Sequence, residues 1–133
     1  MNKNALRSIG AVVAGTLVGI ILSVGTDTLL RAAGIVPALG QSVFLLAAAY
    51  RTVYGVAAAY ITARLAPIRP MLHALVLGSL GLAANTVGAV VTWNSVPYFG
   101  PHWYPLALIA LAIPPAWLGA KLRLIQLRGR VAD

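Results

Sequence analysis

The chain has 133 residues, 60% of them hydrophobic and 9% charged, with a formal net charge of +8. A soluble domain of this size carries about a quarter charged residues, so there is too little polar material here to cover a water-facing surface. The absence of cysteine excludes disulfides, thiolate metal sites and cysteine nucleophiles, and with Asp27 and Asp133 the only acids the chain supplies no catalytic carboxylate pair.

The basic charge does not read as a nucleic-acid footprint, which needs a basic patch on a water-facing surface. Eight of the ten basic residues stand at the ends of apolar segments: Lys3, Arg7, Arg64, Arg69, Lys121, Arg123, Arg128 and Arg130. That is how a membrane protein sets its orientation. The length suits a single domain covering residues 1–133.

The first apolar segment spans residues 8–30 and follows the basic stretch Met1–Arg7. A secretory signal core is about 7–15 residues long. This one is longer, and it is expected to be retained as a first transmembrane helix. The second segment, residues 41–65, carries Arg51 in its middle; the third spans 70–92 and the fourth 104–124. Each meets the requirement of about 20 apolar residues for a bilayer core. The predicted fold class is therefore all-α, a transmembrane four-helix bundle.

The connections differ by side. Ala66-Pro67-Ile68-Arg69-Pro70 is short, basic and bounded by prolines. The stretches Ala32–Gly40 and Asn94–Trp103 carry no charge, and the second is rich in aromatics. Aromatic rings favour the headgroup level, and basic loops favour the cytoplasmic side. Both termini and the middle loop are accordingly expected in the cytoplasm. Trp93, Tyr98, Phe99, His102 and Trp103 form a candidate docking surface on the opposite side.

The halves match at an offset of 57–58 residues, best where Ala59-Tyr60-Ile61-Thr62-Ala63-Arg64-Leu65 aligns with Ala116-Trp117-Leu118-Gly119-Ala120-Lys121-Leu122. This predicts two tandem helical hairpins. Because each half has two spans, they would be related by a pseudo-two-fold axis along the membrane normal.

Within the first span Ala11, Gly15, Gly19, Ser23, Asp27 and Arg31 recur every four residues and share one face. Small residues let helix backbones approach, so Gly15 and Gly19, with Gly55, Gly78 and Gly81 in the next two spans, are the predicted packing positions. Asp27 then points inward. At ~1.5 Å per residue, Arg51 lies about 20 Å from Arg64 and Asn85 about 22 Å from Pro70. The repeat sets Asp27 level with Asn85. A charge at mid-membrane costs about 2.5–3.5 kcal/mol on the lenient scale, so pairing Asp27 with Arg51 is expected, with Asn85 completing a buried polar cluster. Pro114-Pro115 removes backbone donors and frees the carbonyls of Ala110 and Leu111; a kink is expected there.

Ala59–Pro67, followed by Arg69-Pro70-Met71 and His73-Ala74, resembles a segment of uncharacterised small bacterial four-span inner-membrane proteins. Trp93-Asn94 and Pro101-His102-Trp103-Tyr104-Pro105 extend the resemblance over most of the chain. It implies residence in a bacterial inner membrane and no particular activity. The pattern departs from small multidrug transporters, because Asp27 sits near the far end of its span.

No phosphate loop, nucleophile elbow or dinucleotide fingerprint is present, and no cofactor or metal is called for. The expected function is that of a non-enzymatic subunit or scaffold in a membrane homo-oligomer or with a larger membrane-protein partner. The competing expectation is a small ion or solute transporter or channel built on Asp27, Arg51 and Asn85. A sealed, mutually bonded pair would favour the first; an accessible cavity reaching the pair would favour the second.

Overall fold

The computed structural model describes residues 2–36, 40–94 and 101–132. Its helices are α1 (Lys3–Ala32), α2 (Gln41–Leu65), α3 (Pro70–Thr92), α4 (Trp103–Ala110) and α5 (Ile113–Ala132). The last two make a single traverse, so among the described residues four helical traverses are long and apolar enough to cross a membrane.

Local chemistry sets the helix ends. The Asn2 side chain accepts from Ala5 N–H at 2.8 Å and starts α1, several residues before the apolar run begins. At the other end Gly34 takes a positive φ of 84°. There Ile35 N–H donates to Leu30 O and Gly34 N–H to Arg31 O, a paired closure that glycine makes easy. Both ends carry α1 past the expected 8–30. Helices α2 and α3 begin and end where the sequence places them. Pro70 occupies the first position of α3, where its missing N–H and fixed φ do no harm. Arg69 before it is held at φ 47°.

The fourth span differs from expectation. It breaks at Leu111–Ala112 and runs on to Ala132. Pro114 and Pro115 cannot donate to Ala110 and Leu111, so they begin a new helix rather than sit inside a kinked one.

The packing inverts that of a soluble protein. The described buried apolar side chains are alanines, among them Ala11, Ala59, Ala74 and Ala120, while Leu29 is 72% and Val90 74% exposed. Small residues between helices and large aliphatic ones outside are what lipid, itself as apolar as leucine, selects.

Cross-helix contacts fix the directions. Ala11 meets Thr62 and Asp27 meets Arg51, so α1 and α2 run oppositely. Phe44 lies tilted against Tyr104, and Tyr60 donates to Gln126, so α2 and the α4–α5 traverse run the same way. Helices α2 and α3 each meet every other traverse, α1 packs on α3 far less than on α2, and α1 hardly meets α5. One end of the bundle gathers Lys3, Arg7, Arg64, Arg69, Lys121 and Arg123; the other gathers Trp93, His102, Trp103 and Tyr104.

Candidate functional site

The α1–α2 seam sets the register of the site. A Cβ on Gly15 would collide with Thr62 Oγ1 and come 2.8 Å from Ala58 O, so only glycine lets the backbones this close. Thr62, fully buried, donates to Ala11 O at 3.1 Å. From that contact Asp27 lies twelve residues along α1 from Gly15 and Arg51 eleven back along α2 from Thr62, rises of about 18 and 16.5 Å. The two side chains are thereby brought opposite each other.

Arg51 Nη2 donates to Asp27 Oδ2 at 2.6 Å, and Tyr50 O–H donates to Asp27 Oδ1. The carboxylate thus has a partner on each oxygen. One turn along, the hydroxyls of Thr26 and Tyr54 are bonded at 2.6 Å. Arg51 Nε is buried and has no partner among the described residues. The pair is bonded but not sealed: 34% of the Arg51 side chain and 30% of the Asp27 side chain remain exposed.

Arg51 contributes to the walls of two cavities. The smaller, about 160 Å³, lies towards the aromatic end and is lined by Asp27, Arg31, Phe44, Tyr50, Arg51 and Tyr104. The larger is about 530 Å³, within the range of small-molecule sites. All four traverses line it. Ser23, Arg51, Tyr54 and Asn85 give it a polar end, and Gly15, Ala58, Gly78 and Ala116 an apolar one. Beyond the apolar end, towards the basic loops, Ala59, Ala63, Ala74, Ala116 and Ala120 pack into the core.

Asn85 does not join Asp27 and Arg51 through a hydrogen bond. Its Nδ2 donates to Leu108 O at 2.8 Å. In an unbroken helix the N–H of Ala112 would serve that carbonyl; here it turns to Ile109 O at 3.2 Å. Asn85 therefore supplies the donor that the break removes. It still shares the larger cavity with Arg51.

The predicted packing glycines divide. Gly15 meets Thr62, and Gly19 lies against Ala58. Gly55 lies against Pro115, and a Cβ on Gly78 would come 2.7 Å from Ala116 Cβ. Gly81 has nothing near it and opens onto the cavity instead. Of the aromatic surface, Trp93 and His102 stack at 4.0 Å, and His102 Nε2 bonds Trp93 O. Trp103 stands edge-on to Tyr104. Tyr98 and Phe99 lie outside the described residues.

Sequence reasoning missed Gly119, where a Cβ would strike Val56 O and come 2.8 Å from Ala59 Cβ. The signal was its setting beside Ala116 and Ala120, small residues one turn before it and next to it. It also missed Tyr104 as a wall of the smaller cavity, and the partner of Asn85. Comparison with protein-family models, curated proteins and solved structures finds no match to this chain.

Proposed function

We propose that this is a non-enzymatic integral membrane protein that binds a small solute inside its helix bundle and takes part in moving it across a bacterial inner membrane. The basic end, with both termini, faces the cytoplasm. The observation that carries this reading is the 530 Å³ cavity: polar at Arg51 and Asn85, apolar beyond them, and backed by an alanine core on one side. An intramembrane charge lining a cavity is a functional candidate by default. A helix broken beside the cavity is a further feature that transporters use.

Movement requires the alanine core to open while the outer end closes. The proposed tandem duplication supplies a means, in which one half rocks on the other. In its support, α1 packs on α2 as α3 packs on α5; against strict symmetry, α2 touches α3 whereas α5 hardly touches α1.

The second reading is a subunit or scaffold in an oligomer or larger complex. Its support is that Asp27 is satisfied internally by Arg51 and Tyr50, as a register-fixing pair would be.

A chain without cysteine allows a clean test. Ser23→Cys, in the cavity wall, and Ala59→Cys, in the core, are reconstituted and exposed to a membrane-impermeant thiol reagent from either side. Transport predicts rapid labelling at residue 23 from the aromatic side and slow labelling at residue 59 from the basic side. Protection of both positions, with a larger protein retained in mild detergent, would establish the subunit reading instead.

A further inference from the structure

Charge is unevenly divided between the two cavities. Asp27 lines only the smaller one, where Arg31 accompanies it, whereas Arg51 lines both. Among the described residues around the larger cavity, Arg51 is the one carrying a formal charge. Counted with Asp27 and Arg31, the cluster keeps one positive charge in excess.

The polar groups are concentrated at one end; at the other, Thr16 donates its hydroxyl to Val12 O. Along α1 the lining runs from Gly15 to Val24, about 13 Å of helix rise. Ser23 stands beside Arg51 and Asn85 at the head of this chamber, and Gly15, Gly78 and Ala116 line its foot. The Asn85 amide has committed one N–H to Leu108 O and retains a second. Arg51 has committed Nη2 to Asp27, and a guanidinium carries five donors in a fork that fits carboxylate or phosphate oxygens. A cation would meet repulsion there without an acid to receive it. A solute without an anionic head would answer less well the guanidinium donors that Asp27 does not use.

Resting on the solute-site reading, we propose that the larger cavity binds a monoanionic amphiphile. Its carboxylate or phosphate head lies at Arg51 and Asn85, and its short apolar body lies along the glycine and alanine wall. The way in is the seam between α1 and α3, which pack together far less than α1 and α2 do. Gly81 stands on that wall, and a Cβ added to it would meet nothing within 4 Å, so a larger side chain there fills the chamber without straining a helix contact.

The test uses the full chain in phosphatidylcholine nanodiscs and three eight-carbon probes: octanoate, octylammonium and octanol. Heats of binding are corrected with empty discs. Octanoate is expected to bind about tenfold or more tightly than either of the others, as a charge-assisted pair allows. Gly81→Leu removes that binding while the thermal midpoint holds. The double variant Asp27→Asn with Arg51→Gln, which removes the pair together and leaves no charge on the larger cavity, brings octanoate and octanol to equal affinity. Phosphatidylglycerol added to the discs displaces octanoate if the natural head is a lipid phosphate, and fails to displace it if the natural ligand is a free anion. Preference for octylammonium or octanol overturns the anion assignment and leaves the solute site standing. Absence of specific binding by all three, or Gly81→Leu without effect, overturns both.

Discussion

Asn85 of α3 donates to the carbonyl of Leu108 of α4 at 2.8 Å, filling the place that Ala112 N–H vacates where the fourth traverse breaks. A polar side chain expected in an ionic cluster is therefore also the mend in a neighbouring backbone. Three features depend on each other here: the two prolines, the unserved carbonyl and the amide that serves it.

Asn85→Leu is expected to lower stability by about 1–2 kcal/mol, since it strands a carbonyl away from water. Replacing Pro114 and Pro115 by alanine in that background restores most of the loss, because Ala112 N–H can then return to Leu108 O. Thermal unfolding in one detergent checks both. An equal cost of Asn85→Leu with and without the prolines would separate the amide from the break.

The glycines predict a graded series. Gly15→Ala and Gly119→Ala push a methyl against Thr62 and the α2 backbone respectively, and are expected to cost about 1–3 kcal/mol by overpacking. Gly10→Ala and Gly88→Ala meet nothing within 4 Å and gain helix propensity, so they should be neutral or slightly stabilising. Folded yield by size-exclusion chromatography ranks them. A uniform response across the four would mean the helices do not meet as described.

The ion pair predicts non-additivity. Asp27→Asn alone leaves Arg51 charged and without its carboxylate, and Arg51→Gln alone leaves the acid; each is expected to be less stable than the double variant. Because both side chains are about one-third exposed, the single costs should stay near 1–2 kcal/mol, below the figure for a sealed pair. A double-mutant cycle on thermal unfolding measures the coupling, and zero coupling would contradict the 2.6 Å contact.

Arg69 holds a left-handed backbone, φ 47°, ahead of Pro70. A branchless glycine adopts that conformation without the Cβ penalty of about 1–2 kcal/mol. Arg69→Gly should therefore raise the unfolding temperature by a few degrees, offset in part by the freedom glycine adds to the unfolded chain. A fall in that temperature would show that the arginine side chain contributes more than its backbone costs.

Much of this was legible in the sequence because helices encode depth directly. A rise of about 1.5 Å per residue puts Arg51 and Asn85 at similar depth, the internal match sets Asp27 beside Asn85, and the four-residue spacing of Gly15, Gly19 and Ser23 gives the inward face of α1. The ends of α2 and α3 followed from charge, proline and hydropathy. The α1 boundaries were set by Asn2 and Gly34, local caps that an apolar count overlooks. The broken fourth traverse was half legible: Pro114-Pro115 marked the place, while the fit of Pro115 against Gly55 and of Ala116 against Gly78 appears only once the helices are packed.

By itself the sequence determined four apolar helices, their charge asymmetry and the shared depth of the polar groups, since these are properties of one chain's pitch and composition. Only the tertiary structure decided which faces met: that Asn85 turns to Leu108, that Gly81 opens onto a chamber, and that Arg51 stands between two cavities. Depth is fixed along a helix axis. Rotation about that axis is fixed by the neighbours, through contacts as small as one glycine against one threonine.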